Sequence, residues 1–541
     1  MYRYIDNIES LENKLSASNI SSLEMKLNSP LNEELFSLVC SAIRKQSNIS
    51  NLKLLFNWSN QINDENISLF SSALEASSSL QSFIIKLNQR PSNQILTSQG
   101  ISKLMSSLAN CTNLSIIKLN LESIQIGAQG FQALCSVLSN FEKLYNLSLN
   151  LNYIKIDSES VSDLWSDLAK CINIQTLELH LSNNNLEIQD AKSLGSALVN
   201  LVQLSNLSVE IMSNNIGDEG VSGLFLNLEK CSKIQKLSLS LCNNQVGAKG
   251  AIAIGTSLGN CINLTDLTLS FREDKISDDT LLGLINALKN KTKLSNLNLN
   301  LEKVGAACVK NLRDYLSTCT NLSTLQLDIR FTENGSFNAA NLISGLESLN
   351  NLETLNIDFM YEKGQKGASN LGTALANCTS QLNVLKLNLG GNEYAASGLT
   401  FLVPGLANCS KLQNLELSLK VNQIGGTTSI CSALQNCINL KNLILELDQN
   451  KIGDVGLSRL GPSLSKCVYL QTLILNLSEN QIGDKGLKTL VQDVSKFQNL
   501  TYLIILLCNC LVGNQKIIKM CDQKILKMKK LVCGYIAYDY D

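Results

Sequence analysis

A motif of about thirty residues repeats along almost the whole chain. One copy reads LKNLILELDQNKIGDVGLSRLGPSLSKC over residues 440–467. Its first apolar position recurs at 114, 144, 174, 204, 234, 264, 294, 322, 352, 382, 412, 440, 470 and 500, so the spacing is 30 residues apart from two intervals of 28. Weaker copies begin near Ile20, Ile49 and Leu80, which gives about seventeen copies. A repeat of this length predicts a solenoid, in which each unit packs against its neighbours.

The first half of each copy predicts a short strand followed by a turn. Leu443, Leu445 and Leu447 alternate at period two, so their side chains share one face of a strand. Asn450 follows at the point where the chain must turn. We expect its side-chain amide to satisfy backbone groups that the turn leaves unpaired.

The second half of each copy predicts a helix. Gly453 is expected to take a backbone conformation closed to other residues, and Asp454 to cap the helix that follows. Leu460 and Leu464 then lie on one face of that helix. Because no unit can bury this face alone, the stack of units must supply the core.

The pattern LxxLxLxLxxNxIGDxGxxxLxxxL resembles the leucine-rich repeat, and the repeat length with a full helix is similar to the ribonuclease-inhibitor-like subfamily. The resemblance implies an α/β horseshoe with parallel strands on the concave face and helices on the convex face. We expect one solenoid over residues 1–541. It would comprise an N-terminal repeat or cap over 1–48, repeats over 49–507 and a C-terminal capping segment over 508–541.

The cysteines follow the repeat. The chain has 18 of them, and the slot three residues before the first leucine holds Cys in some copies and Phe or Leu in others, which indicates a packing position. Stacked thiols in consecutive units persist where thiols stay reduced, so we expect a cytoplasmic protein, with the nucleus left open. This slot is occupied by Cys111, Cys171, Cys231, Cys261, Cys319, Cys409, Cys437 and Cys467, with Cys378 one residue earlier.

Composition argues against catalysis and against nucleic acid. The chain has 45 basic and 46 acidic residues and a single histidine. A charge of −1 gives no electrostatic footprint for nucleic acid or an anionic membrane. No catalytic or phosphate-binding motif stands apart from the repeat, so we expect no enzyme, no cofactor, no metal and no small-molecule substrate.

Departures from the small polar residues of the strand surface mark candidate partner contacts. A possible edge patch follows the central strands and comprises Arg272, Arg330, Phe331 and Tyr361. Random sequence variation in surface loops would explain these residues as well. His180 alternates with buried leucines and points to the concave surface, first as a solvated residue, next as a contact and last as a catalytic base.

An apolar stripe is predicted near the C-terminal end. Ile444 and Ile474, followed by Ile504 and Leu506, face outward where earlier copies carry Ser or Asn. Such a stripe is either a docking site or is covered by the tail or by another chain.

We therefore expect a non-enzymatic scaffold that binds a protein partner on its concave face or its edge. One alternative, implied by the resemblance alone, is a GTPase-activating type of regulator for a small GTPase, with Arg272 or Arg330 acting in trans. Another is an inhibitor or sensor arm that works with separate effector proteins.

Overall fold

The structure is a computed structural model of the chain. The residues that it describes are 20–27, 33–46, 48–56, 62–87, 95–156, 158–226, 228–271, 278–288, 293–331, 341–359, 372, 375–377, 381–392, 399–400 and 402–538.

The chain divides into two compact units, Met1–Ile276 and Ser277–Asp541. In the first unit the strands are β1 (Ser22–Leu27), β2 (Asn51–Phe56), β3 (Ser82–Lys86), β4 (Ile116–Asn120), β5 (Asn146–Asn150), β6 (Thr176–His180), β7 (Asn206–Glu210), β8 (Lys236–Ser240) and β9 (Asp266–Phe271). The α-helices between them are α1 (Glu33–Lys45), α2 (Asp64–Leu74), α3 (Ser98–Leu108), α4 (Gly127–Leu138), α5 (Ser158–Leu168), α6 (Ile188–Leu198), α7 (Gly217–Phe225) and α8 (Ala248–Asn260).

The second unit repeats this order. Its strands are β10 (Asn296–Val304), β11 (Thr324–Phe331), β12 (Thr354–Asp358), β13 (Val384–Asn388), β14 (Asn414–Ser418), β15 (Asn442–Glu446), β16 (Thr472–Asn476), β17 (Tyr502–Leu506) and β18 (Cys533–Ala537). Its α-helices are α9 (Asp278–Leu288), α10 (Ala306–Thr318), α11 (Leu402–Ala407), α12 (Thr428–Leu434), α13 (Asp454–Leu457), α14 (Leu460–Leu464), α15 (Asp484–Val494) and α16 (Gln515–Leu526). Short 3-10 helices cover Leu228–Lys230 in the first unit and Gly345–Ser348 in the second.

Parallel strands in register build the core of each unit. Leu147, Leu177 and Leu207 are aligned across β5, β6 and β7, and each is at most 2% exposed. The buried faces of the helices lie against these leucines, and the other strand positions face outward. The predicted fold class, an α/β solenoid of parallel strands alternating with helices, is confirmed in both units.

The asparagine slot joins neighbouring repeats. In Asn214, Oδ1 accepts the backbone N–H groups of Asn184 (3.1 Å) and Leu186 (2.9 Å), while Nδ2 donates to the carbonyls of Leu181 (3.1 Å) and Ile211 (3.2 Å). The predicted role is confirmed, and most of these bonds reach the preceding repeat. The slot is buried at Asn184, Asn214, Asn244, Asn392, Asn422, Asn450 and Asn480.

Two predictions about the turn after the strand are wrong. Gly453 has φ −103°, which is open to any residue, and it is Gly453 that caps the helix after it. In this repeat the left-handed backbone lies instead beside the asparagine slot, at Gln449 (φ 53°), although Gly127 and Gly217, which hold the same motif position as Gly453, do have a φ of 55°. The carboxylate of Asp454 serves the next repeat, because its Oδ1 accepts the N–H of Gly483, the cap of α15, at 2.7 Å.

The cysteines of the slot before the first leucine, here called the cysteine ladder, are confirmed as packing residues. Its eight described members are no more than 6% exposed, and Cys378 lies outside the described residues. Cys467 donates a weak Sγ–H bond to the carbonyl of Cys437 in the preceding repeat at 3.4 Å. Every cysteine in the described part of the chain is a free thiol.

The C-terminal segment adds a further repeat. After α16 the chain forms β18, which pairs in parallel with β17. The described residues therefore hold eighteen strands, where the sequence predicts about seventeen repeats. Gly534 stands at the leucine position of β18, and the end of the Leu531 side chain lies where its Cβ would be.

Candidate partner-binding surface

The predicted edge patch lies largely outside the described residues. Arg272 and Tyr361 are not among them. Arg330 and Phe331 are described as part of the β11 backbone, but their side chains are not described. The patch, and the GTPase-directed role of its arginines, therefore stay predictions.

His180 belongs to a polar cluster on the strand face of the first unit. Its Nδ1 lies 2.9 Å from Oε2 of Glu210, the aligned residue on β7. Oε1 of Glu210 accepts a hydrogen bond from Ser182 Oγ at 3.1 Å. Nearby, Lys118 Nζ lies 3.3 Å from Oε2 of Glu178. His180 is thus half-buried and paired rather than freely solvated.

The contact between His180 and Glu210 shifts the pKa of both residues. The hydrogen bond with Glu210 raises the pKa of His180 against the opposing effect of burial. The same hydrogen bond lowers the pKa of Glu210. The raised pKa favours the charged form of His180, in which both ring nitrogens carry a proton and neither can act as a general base.

The substitution Glu210→Gln should lower the pKa of His180, because it removes the hydrogen-bonded carboxylate. The chain has one histidine, so NMR titration of its ring signals follows that residue without assignment. Because the pKa of His180 is raised and that of Glu210 is lowered, the pair stabilises the fold fully between about pH 4.3 and about pH 6.5, the usual values of the two side chains. This contribution is lost as pH rises through the folded pKa of His180, and also as pH falls through the folded pKa of Glu210. Glu416→Gln on β14 is the control and should leave the titration of His180 unchanged. An unshifted titration in Glu210→Gln would contradict the assignment.

An apolar row lies on the strand face of the second unit. We define it as Ile444, Ile474, Ile504 and Tyr535, which are aligned across β15 to β18. Ile444 and Ile474 are half-buried, Ile504 is 9% exposed and Tyr535 is 47% exposed.

Polar residues end the apolar row on one side, and the C-terminal segment extends it on the other. The same line of positions continues from Ile444 into Glu416 and Lys386, which form an ion pair of 2.8 Å. One interpretation of the sequence places the C-terminal segment over the apolar row. In the described residues this segment does not lie over the row. It lengthens the row with Tyr535, because β18 adds to the sheet edge beside β17.

A polar groove in the second unit was not predicted from the sequence. The groove, of about 800 Å³, runs along the starts of β12 to β16, with Asn351, Lys411, Asn439 and Tyr469 among its lining residues. Asn351 Nδ2 donates to the carbonyl of Thr320 in the preceding repeat at 2.9 Å. Polar residues before a strand look like an ordinary solvated loop in one copy of the motif, so only the alignment of several copies could have indicated a groove.

The described residues contain neither a cluster of metal-ligating side chains nor a membrane-spanning helix. They contain no group of three or more His, Cys, Asp or Glu side chains that could hold a metal ion. Among the helices of the described ranges, none has the length and apolar character of a membrane span.

No protein-family model matches the sequence, and no curated protein matches it. Among solved structures, the TLR13–ssRNA13 complex is similar at 14% identity over 95% of this chain and 71% of that chain, with a TM-score of 0.38. The Rad7–Elc1 complex of yeast is similar at 18% identity over 68% of this chain and 85% of that chain, with a TM-score of 0.40. At this level of similarity, membership of the ribonuclease-inhibitor-like subfamily stays a prediction.

Proposed function

We propose that this chain is a non-enzymatic scaffold that binds a protein partner on the strand face of its second unit. The observation that carries the proposal is the apolar row, in which four consecutive strands place large apolar side chains outward in register. At the same position of the motif, β5 to β8 of the first unit carry Ser148, Glu178, Ser208 and Ser238.

The composition of this surface matches that of a protein interface. Adjacent strands lie about 4.8 Å apart, so four strands carry the row over about 15 Å. Interfaces combine an apolar and aromatic centre with a polar rim. Tyr535 and the neighbouring Tyr502, 36% exposed, supply aromatic surface, and the Lys386–Glu416 ion pair supplies part of a rim. A partner would complete the burial of side chains that the fold leaves half-buried.

The double substitution Ile444→Lys/Ile474→Lys should reduce partner recovery at least about tenfold, because burial of each apolar side chain contributes about 1.5–3 kcal/mol. The measurement is affinity capture with the full chain from cell extract, quantified by mass spectrometry. Proteins lost with this variant are then produced pure and their Kd values measured against both chains.

The matched control is Ser208→Lys/Ser238→Lys, which places the same two charges at the same motif positions of the first unit. The proposal requires that this control retains the partner. If both variants lose the same proteins, or if neither variant loses any, the apolar row is not the binding surface.

A further inference from the structure

The polar groove of the second unit has a wall built by four consecutive repeats. Each repeat contributes the residue directly before its strand, and the backbone holds these residues side by side. The N–H of each one donates to the carbonyl of the corresponding residue in the preceding repeat at 2.8–3.0 Å. All four line the groove, and we call them the groove wall: from β12 to β15 they are Glu353, Asn383, Gln413 and Lys441.

The groove wall differs from the same position in several other repeats. There the position holds small hydroxyl residues, such as Ser115, Ser205 and Thr265, whose hydroxyl groups donate to a carbonyl of the preceding repeat at 3.1–3.2 Å. The longer side chains of the groove wall make no such bond. Within the described part of the chain, none of the four forms a side-chain hydrogen bond or an ion pair. Four neighbouring repeats therefore present polar side chains that the fold itself does not use.

The groove carries opposite charges at its two ends. Glu353 begins the groove wall and Lys441 ends it three strands further on, so about 14 Å separates their backbones. Lys411, beside the groove wall, adds a second ammonium group to the lining. Between the charged ends lie the amides of Asn383 and Gln413. The lining therefore combines one carboxylate, two ammonium groups and amides that can both donate and accept.

Three classes of occupant could bond such a groove, and its charges separate them. A neutral glycan would cover the charged ends without supplying opposite charges. A nucleic acid strand would bring phosphate groups against Glu353, and the excess of one positive charge in the lining gives it little attraction. An extended polypeptide has N–H and C=O groups that match the amides. Its first and fifth side chains point to the same side about 13 Å apart, so it can also carry a base and an acid at the spacing of the groove ends.

We propose that the polar groove binds an extended segment of a protein partner, with a basic side chain at the Glu353 end and an acidic side chain at the Lys441 end. The backbone of the segment bonds the amides of Asn383 and Gln413. The inference rests on the proposed function only in that the partner is a protein. The two surfaces are separate, because the groove wall precedes the strands and the apolar row lies three residues further along, as Ile444 does after Lys441.

The test uses the full chain and two fluorescein-labelled peptides as probes, with binding measured by fluorescence anisotropy. The first peptide is Ser-Lys-Ser-Thr-Ser-Glu-Ser, which places a base and an acid four residues apart. The second peptide has Lys in place of Glu. The unmodified chain should bind the first peptide about fivefold more tightly than the second, since the exchange turns an attractive contact with Lys441 into a repulsive one.

Three variants identify the contacts. Lys441→Glu should reverse the preference, so that the second peptide binds about fivefold more tightly than the first, because this end of the groove becomes acidic. Lys451→Glu makes the same change of charge in the same repeat but outside the groove lining, and as the matched control it should keep the original preference. Both lysines are exposed, so the fold tolerates the changes. Gln413→Ala should weaken both peptides alike, about fivefold, because it removes a contact to the peptide backbone.

Several results would overturn the proposal. One is a Kd above about 1 mM for the first peptide, and another is an unchanged preference in Lys441→Glu. Binding of an oligouridylate that depends on Lys441 would favour a nucleic acid, and binding of maltohexaose that depends on Gln413 would favour a glycan. Loss of peptide binding in Ile444→Lys/Ile474→Lys would place the peptide on the apolar row. Peptide binding retained in that variant supports the groove whether or not the apolar row binds a partner, so the two proposals can fail separately.

Discussion

Asn214→Ala should lower the free energy of unfolding of the surrounding repeats by about 4 kcal/mol, because each buried backbone group left unsatisfied costs about 1–3 kcal/mol. The side chain is 4% exposed and bonds two N–H groups and three carbonyls. Urea unfolding followed by circular dichroism measures the loss, and hydrogen exchange should show it concentrated in β6 to β8.

Two further variants give this experiment its controls. Asn200→Ala removes an exposed amide with one long hydrogen bond of 3.4 Å and should change the stability by less than about 0.5 kcal/mol. Asn214→Cys should be intermediate, since Cys510 takes this slot in the last repeat and its Sγ–H reaches the carbonyl of Leu477 at 3.3 Å. A loss below about 1 kcal/mol in Asn214→Ala would mean that water replaces the amide.

Alkaline pH should destabilise the fold steeply. Burial raises the pKa of Cys111, Cys171, Cys231 and Cys467 to about 11. The folded chain therefore holds these protons more tightly than the unfolded chain, whose thiols ionise near pH 8.5. Each thiol stabilises the fold fully below that pH, and the contribution is lost as pH rises towards 11. At pH 10 the loss is roughly 1–2 kcal/mol per thiol.

The measurement is urea unfolding at half-unit intervals from pH 7 to pH 10.5. In the double variant Cys111→Ala/Cys467→Ala, the free energy of unfolding should depend less steeply on pH above pH 8.5. The variant should be less stable at pH 7, because it loses packing contacts. Cys242→Ala removes a half-buried thiol outside the ladder and serves as the control. If the double variant falls as steeply as the unmodified chain, ionisation of lysine and tyrosine rather than of the buried thiols causes the alkaline loss.

Much of one repeat could be predicted from its own residues. Leu443 and Leu445 are buried on one strand face, and Asn450 and Cys467 occupy the slots that the motif indicates. Ile444 and Ile474 lie on the outward strand face, as their alternation predicts, and whether a partner binds them stays a prediction. These features follow from periods of two and of three to four residues, which one short stretch of sequence displays in full.

Features that join two repeats could not be predicted from one. His180 finds its partner in Glu210, thirty residues further along the chain. Asp454 looks like the cap of its own helix, whereas its carboxylate binds the N–H of Gly483 in the following repeat. Both contacts depend on how far one repeat is shifted against the next, and the motif of a single repeat carries no information on that shift.

The sequence by itself determined the repeat, the parallel α/β solenoid, the buried asparagine slot and the cysteine packing, because short-range apolar periodicity decides which side chains must be buried together. The tertiary structure decided the added strand β18, because Gly534 stands where the motif has a leucine and so interrupts the apolar alternation that predicts the other strands. It also decided the His180–Glu210 pair and the extension of the apolar row to Tyr535. Each of these depends on the register of one strand against its neighbour, and that register is set by stacking between repeats.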